Sequence, residues 1–270
     1  MPEASARVDQ GQAPTRLSGA LLTARGLRKT FGGVMAVAGV DLNVGAGETV
    51  GLVGPNGAGK TTLFNCICGQ VRPDSGTVSF DGMSLARMPV FRRARLGIGR
   101  TYQRIELFPE LSVRDHLIVA ERARSGQGRL WKDLLNRAGP RPDELSRVEA
   151  VLELVGLTDR ADTSVAALGL GTCRVVELAR ALVAEPRLLM ADEPSSGLDV
   201  HETRQLADTL RAVQRRRGMA VLLVEHDLAM VGRVADRVVA MDLGQVIAEG
   251  SLDAVMADGR VRRAYLGTNT

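Results

Sequence analysis

The chain has 270 residues, 45% of them hydrophobic, and a formal net charge of +4, which suits one large α/β domain with a subdomain rather than a disordered or fibrous chain. No apolar run approaches the roughly 18 residues of a membrane span, and Met1–Gly19 lacks the apolar centre of a signal peptide or anchor, so residues 1–19 read as a disordered tail. Three cysteines (Cys66, Cys68, Cys173) and scattered histidines give neither a disulfide framework nor zinc spacing, as expected of a reduced, cytosolic protein.

Along the chain, Leu21–Ala24, Val34–Val44, Thr49–Val53 and Gly76–Asp81 alternate with glycine turns and predict strands and hairpins. From Leu85 to about Arg180 the character changes. Val113–Arg124 and Asp143–Val155 carry apolar residues at helical spacing, on either side of an irregular Gly- and Pro-bearing stretch with the only tryptophan, Trp131. This middle part, about 104–180, reads as a helical subdomain. The β/α alternation then resumes. Leu188–Ala191 and Ala220–Val224 predict buried strands, Glu202–Arg217 an amphipathic helix, and Arg237–Met241 with Gln245–Ala248 a hairpin joined through Asp242-Leu243-Gly244.

The apolar run Thr49–Val53 leads into Gly54-Pro55-Asn56-Gly57-Ala58-Gly59-Lys60-Thr61-Thr62, which fits G-x-x-x-x-G-K-[ST] and precedes a helix-like segment, Thr61–Cys68. Glycines let successive backbone N–H groups turn inward around phosphates, and the following helix aims its positive end at the same charge. Lys60 can reach the β- and γ-phosphates, and the Thr61 hydroxyl can ligate Mg²⁺. Lys60 is one of only three lysines, with Lys29 and Lys132, so arginine supplies nearly all the positive charge. We read that bias as codon usage and expect no nucleic-acid partner. Further on, Leu188-Leu189-Met190-Ala191 ends in Asp192-Glu193. Beside a phosphate loop, Asp192 can hold Mg²⁺ through its water shell, while Glu193 can orient and deprotonate an attacking water. A GTPase would need an Asn-Lys-x-Asp guanine reader, and none of the lysines has that context.

In this order the landmarks resemble the nucleotide-binding subunits of ATP-binding-cassette (ABC) transporters, over about residues 20–267. The resemblance implies an α/β fold over 20–270: a P-loop NTPase core with an antiparallel β subdomain and a helical subdomain. It gives Phe31 the place of an aromatic that stacks on adenine; a core phenylalanine in a strand is the competing reading. Gln103, in Thr101-Tyr102-Gln103, matches the Q-loop glutamine that touches Mg²⁺ and the water and senses the membrane partner. Ser195-Ser196-Gly197-Leu198-Asp199 resembles the D-loop, which crosses to the other subunit, and His226 matches the switch histidine that contacts the γ-phosphate. Leu168-Gly169-Leu170-Gly171-Thr172 stands where the family reads Leu-Ser-Gly-Gly-Gln, ahead of the helix Arg174–Leu182. Gly171 is retained, the serine and glutamine are not, and Thr172 offers a helix cap.

Finer features, Arg100–Pro109, Val224-Glu225-His226-Asp227-Leu228 and the ending Ala264-Tyr265-Leu266-Gly267, resemble the branched-chain amino-acid importer ATPases, the G-type above all. The ending also reads as a glycine-capped helix end. The resemblance implies an ATPase with ATP and Mg²⁺, peripheral on the cytoplasmic side of the membrane. Its expected partners are permease subunits, which would dock beside Gln103 and Arg104–Glu110, a second ABC ATPase and an extracytoplasmic solute-binding protein. Because Gly169 has no hydroxyl, we expect a heterodimer with a signature-intact ATPase over a homodimer. Branched-chain or related amino acids are the expected solute, with urea, amides and small carboxylates open. Soluble ABC ATPases of translation or DNA repair carry two cassettes or a long coiled coil, absent here, and Glu193 with His226 argues against a module without turnover.

Overall fold

Three short apolar runs make the centre of the molecule. In the computed structural model, which describes residues 19–101, 106–124 and 140–266, β3 (Thr49–Val53), β7 (Leu188–Asp192) and β8 (Ala220–Val224) are buried at every position. They lie parallel in a six-stranded sheet of order β10-β9-β3-β8-β7-β6. A parallel sheet is covered on both faces, which is why these strands read as unbroken apolar runs. The period of two is still visible in the packing. Leu188, Met190, Ala220, Leu222 and Val224 share one core with α1 (Lys60–Cys68) and the antiparallel sheet, whereas Leu189, Ala191, Val221 and Leu223 share another with the helical side.

The antiparallel sheet has the order β2-β1-β4-β5, from β1 (Ala20–Phe31), β2 (Val34–Gly45), β4 (Ser75–Phe80) and β5 (Met83–Ser84). The helical side contributes α3 (Val113–Arg124), α4 (Pro142–Val155), α5 (Leu170–Val183) and α6 (Val200–Arg217), and α2 (Val90–Arg95) precedes the edge strand β6 (Ile98–Arg100). Strand β6 lies just before the helical stretch expected at about 104–180, where no strand was expected. Three residues, Ile-Gly-Arg, are too few to show a strand period, and pairing with β7 decides their conformation. The helix expected from Glu202 begins at Val200, because Asp199 accepts from the Glu202 N–H at 2.8 Å and caps it. Helices α7 (Leu228–Val234), α8 (Leu252–Ala257) and α9 (Gly259–Leu266) complete the order with β9 (Arg237–Asp242) and β10 (Gln245–Gly250).

The β9–β10 hairpin closes through two residues, Leu243 (φ 45°) and Gly244 (φ 78°), both left-handed as a tight twisted hairpin requires. Its tip is not free-standing. The Ala38 N–H donates to the Gly244 carbonyl at 2.8 Å, and the Gly244 N–H donates to the Ala58 carbonyl at 3.0 Å. Thus β2, the late hairpin and the glycine loop before α1 meet at one point. The expected N-terminal tail, Gln103, the Trp131 stretch and Gly267 lie outside the described residues.

Arg93 of α2 is buried and finishes α1. Its guanidinium donates to the carbonyls of Ile67 (2.6 Å), Cys66 (3.3 Å), Leu85 (2.9 Å) and Met88 (2.9 Å). Two of these belong to the last turn of α1, where the Cys66 carbonyl also accepts from the Gly69 N–H at 3.2 Å, and a cation there complements the helix dipole. Arg93→Ala should cost about 3 kcal/mol, lowering the melting temperature by about 6–12 °C, and Arg93→Lys should recover only part because an ammonium lacks the planar fork. Thermal melts of the three proteins check this; an unshifted Arg93→Ala transition would contradict it.

Candidate functional site

Strand β3 ends at Val53, and the glycines that follow are required by space as well as by conformation. Gly54, Gly57 and Gly59 have φ of 148°, 81° and 96°. A Cβ at Gly54 would overlap the Met241 carbonyl oxygen, and one at Gly59 would overlap the Ala36 carbonyl oxygen. Gly59 is the N-cap of α1, whose first turn holds neither a capping side chain nor an acidic residue, so no carboxylate of α1 competes with an anion at its positive end. Pro55 is half-buried, Asn56, Gly57 and Thr61 are exposed, Ala58 is buried and Thr62 half-buried. Lys60 is buried, and its Nζ donates to the carbonyls of Gly54 (2.7 Å) and Pro55 (2.9 Å), bracing the loop from inside. Burial pulls the Lys60 pKa down while Glu193 and Asp192 oppose the shift, so the ammonium and both acids share one field. A cradle of this shape and sign fits a chain of phosphates.

Phe31 ends β1 opposite Val34, with its ring 49% exposed and the Lys29 Nζ 5.2 Å from its centroid. It is therefore not a core phenylalanine. It stands on the same β1–β2 hairpin whose Ala36 carbonyl touches Gly59.

Asp192, the last residue of β7, is buried. Its Oδ2 lies 3.5 Å from the Arg100 Nη2, and among the described residues its Oδ1 has no hydrogen-bond partner. Burial pushes this carboxyl above the usual range, Arg100 and Lys60 pull it back, and Glu193 and Glu225 add to the rise. A buried acceptor without a donor fits a hydrated divalent cation. Among the described residues no group of three or more His, Cys, Asp or Glu could hold a metal alone. Mg²⁺ shared with phosphate oxygens needs only one or two protein ligands, which matches Asp192 and Thr61. Glu193 takes a left-handed conformation (φ 46°), rare for a residue with a side chain, and its N–H donates to the Val224 carbonyl at 2.8 Å. Asp192 pairs with Val224 across β7 and β8, so Glu193 and His226 stand at the ends of adjacent strands. The His226 side chain is 59% exposed. Gln103 lies outside the described residues; Thr101, two residues before it, donates its N–H to the Met190 carbonyl at 3.0 Å.

The signature segment departs from expectation. Gly169, not Thr172, is the N-cap of α5: its carbonyl accepts from the Cys173 N–H at 3.0 Å, and Thr172 is already the third helical residue. The Gly171 N–H donates to Glu202 Oε1 at 3.1 Å, and the Leu170 side chain packs over Gly197. The variant loop is thereby packed on its own D-loop and α6.

Two buried groups escaped sequence reasoning. Arg174 bonds to Glu177 at 3.2 Å and to the Ser196 carbonyl at 3.0 Å, while Glu177 accepts from the Glu106 N–H at 3.1 Å, which joins α5 to both loops. Glu225 is wholly buried and accepts from the Ser195 N–H at 2.9 Å. An acid directly before a strand-end histidine was the available signal.

The ABC transporter family model matches residues 37–196. The chain belongs to the ABC transporter family. It is a transport ATPase whose cassette carries the nucleotide-binding fold, and a second model, for branched-chain amino acid ATP-binding cassette transporters, matches residues 245–269. The cassette is 37% identical to the high-affinity branched-chain amino acid transport ATP-binding protein LivG of Escherichia coli (strain K12), over 93% of this chain and 99% of that one. It is 36% identical to BraF of Pseudomonas aeruginosa, also a high-affinity branched-chain amino acid transport ATP-binding protein, with the same coverage. Its fold superposes on the ADP conformation of an ABC transporter cassette with a TM-score of 0.83, at 28% identity and covering 93% of this chain and 100% of that one. A nucleotide-free cassette gives 0.81, at 27% identity, covering 92% and 99%. Among the described residues of the cassette no helix is long and apolar enough to cross a membrane.

Lys60→Ala removes both the loop brace and its charge, and should weaken ATP binding about 10–150-fold. Phe31→Ala should weaken it less, since it removes no charge from the phosphate cradle. Titration with a fluorescent ATP analogue ranks the two, and a greater loss at Phe31 would reverse the assignment.

Proposed function

We propose that this cassette powers uptake of branched-chain or related amino acids by an importer, peripheral on the cytoplasmic side of the membrane. Two findings support the solute: the family-model match at residues 245–269 and the branched-chain amino acid transport for which the relatives are named. In this reading Phe31 stacks on adenine, residues 54–62 with Lys60 hold the phosphates, and Thr61, Asp192 and Gln103 hold Mg²⁺. When bound, the cation neutralises phosphate charge and helps hold the γ-phosphoryl group in line. Glu193 takes a proton from the attacking water, and His226 donates to the γ-phosphate oxygens. The observation that carries the reading is the meeting of Glu193 and His226 at adjacent strand ends, beside a strand-to-helix loop that only glycines can build.

Two cassettes close head to tail in this scheme, each site pairing one chain's phosphate loop with the other's Gly171 region. ATP shifts the pair toward closure because it binds the closed form better. Permease subunits dock at the Q-loop side, where Glu106–Glu110 include the exposed Phe108, and a solute-binding protein delivers cargo from outside. The missing hydroxyl at Gly169 favours a heterodimer with a signature-intact ATPase, since a homodimer would carry the variant loop in both sites and a heterodimer in only one.

Glu193→Gln should keep ATP binding and lower hydrolysis by about 10²–10⁴-fold in the assembled complex. Parental turnover would remove Glu193 as the base. Turnover per site should also be lower for the chain alone than with a signature-intact partner; equal rates would sink the asymmetric pair.

A further inference from the structure

We propose that Glu225 is a positioning residue whose carboxylate sets the spacing between the loop that begins the D-loop and the loop that carries His226. The proposal rests on the roles given above to Glu193 and His226.

Glu225 follows the last residue of β8 and is 0% exposed. Its backbone N–H donates to the Leu52 carbonyl at 3.3 Å, which pins it to β3, the strand that feeds the phosphate loop. Its side chain then divides between two loops. Oε1 accepts from the Ser195 N–H at 2.9 Å, and Oε2 accepts from the N–H groups of His226 at 3.1 Å and Asp227 at 3.4 Å. A carboxylate has lone pairs for all three donors and presents no hydrogen of its own. Charge-assisted bonds of this kind, made without competing water, are the strong ones.

The consequence is geometric. Glu193 lies between Asp192, fixed in β7, and Ser195, fixed by Glu225, and its own N–H is held by Val224. On the other side, Asp227 accepts from the N–H groups of Ala229 (2.8 Å) and Met230 (3.2 Å), so the His226 loop is clamped between Glu225 and the start of α7. The general base and the histidine therefore share one rigid strut. An amide at 225 would keep the volume but turn one acceptor into a donor facing an N–H, so one loop would be released.

The test is a double-mutant cycle on the full chain in its assembled complex, with Glu225→Gln, His226→Ala and both together. We expect Glu225→Gln to lower kcat about tenfold or more while the KM for ATP and nucleotide affinity stay close to the parent, a split that general unfolding does not produce, and to lower the melting temperature by about 2–12 °C for the buried N–H it leaves unpaired. In the His226→Ala background the same change should cost less than in the parent, because only the Ser195–Glu193 side of the strut is left to lose. Parental kcat for Glu225→Gln beside an impaired His226→Ala, or losses that multiply in the double variant, would overturn the strut while leaving the site reading intact. Parental turnover of His226→Ala would instead remove that reading, and the proposal with it. If Glu225→Gln does not fold, Glu225→Asp, one methylene too short to reach both loops, takes its place in the cycle under the same expectations.

Discussion

Leu52, Val224 and Asp192 lie in one row across β3, β8 and β7, held by parallel backbone pairing. Beyond that row β3 runs through Val53 into the glycine loop, β8 into the histidine loop and β7 into the turn at Glu193. Asp192, Glu193 and His226 therefore take their height from that row. Register in a sheet is usually fixed by which face is polar, but here both faces are apolar and alternation alone does not distinguish one register from its neighbour. The polar links at the strand ends supply the missing specification. The N–H of Glu193 reaches Val224, and the N–H of Glu225 reaches Leu52.

That row also gathers charge. Asp192, Glu193 and Glu225 converge, with Lys60 and Arg100 as the cations that oppose them. The cluster is balanced unevenly: the Asp192 carboxyl is held above its ordinary range even with both cations close by. Such a site gains more from an added positive charge than an exposed pair of acids would, since burial has removed the water that would otherwise screen them. The Arg100 guanidinium, stacked 4.8 Å from the Phe64 ring centroid and bonded to Asn65, is held by α1 as well as by the acid.

Much of the fold was legible because its signals are local. Glycines in the phosphate loop, the apolar runs of β3, β7 and β8, and the helical spacing of α3 and α4 each encode their conformation within a few residues. Strand β6 was not legible, because three residues take their form from a neighbour ninety positions away in the chain. Nor was the true cap of α5: Thr172 has the chemistry of a cap, yet the helix starts earlier, where Gly169 closes the first turn. In the site, Lys60, Asp192 and Glu193 announced themselves by motif. Glu225 and the Arg174–Glu177 pair did not, since a charged residue beside a motif reads as solvated until burial and partners are known.

The brace at Gly244 bears on how the chain is made. The phosphate loop follows β3, but two of the groups that confine it, the Met241 carbonyl and the Gly244 backbone, come from a hairpin far downstream in the chain. During synthesis at about 5–20 residues per second, the loop leaves the ribosome with neither contact available to it. The confined form of the loop must then wait until the β9–β10 hairpin has been made and folds back onto β3. A chain broken off before Met241 would carry the whole motif and still lack the carbonyl and the backbone that confine it.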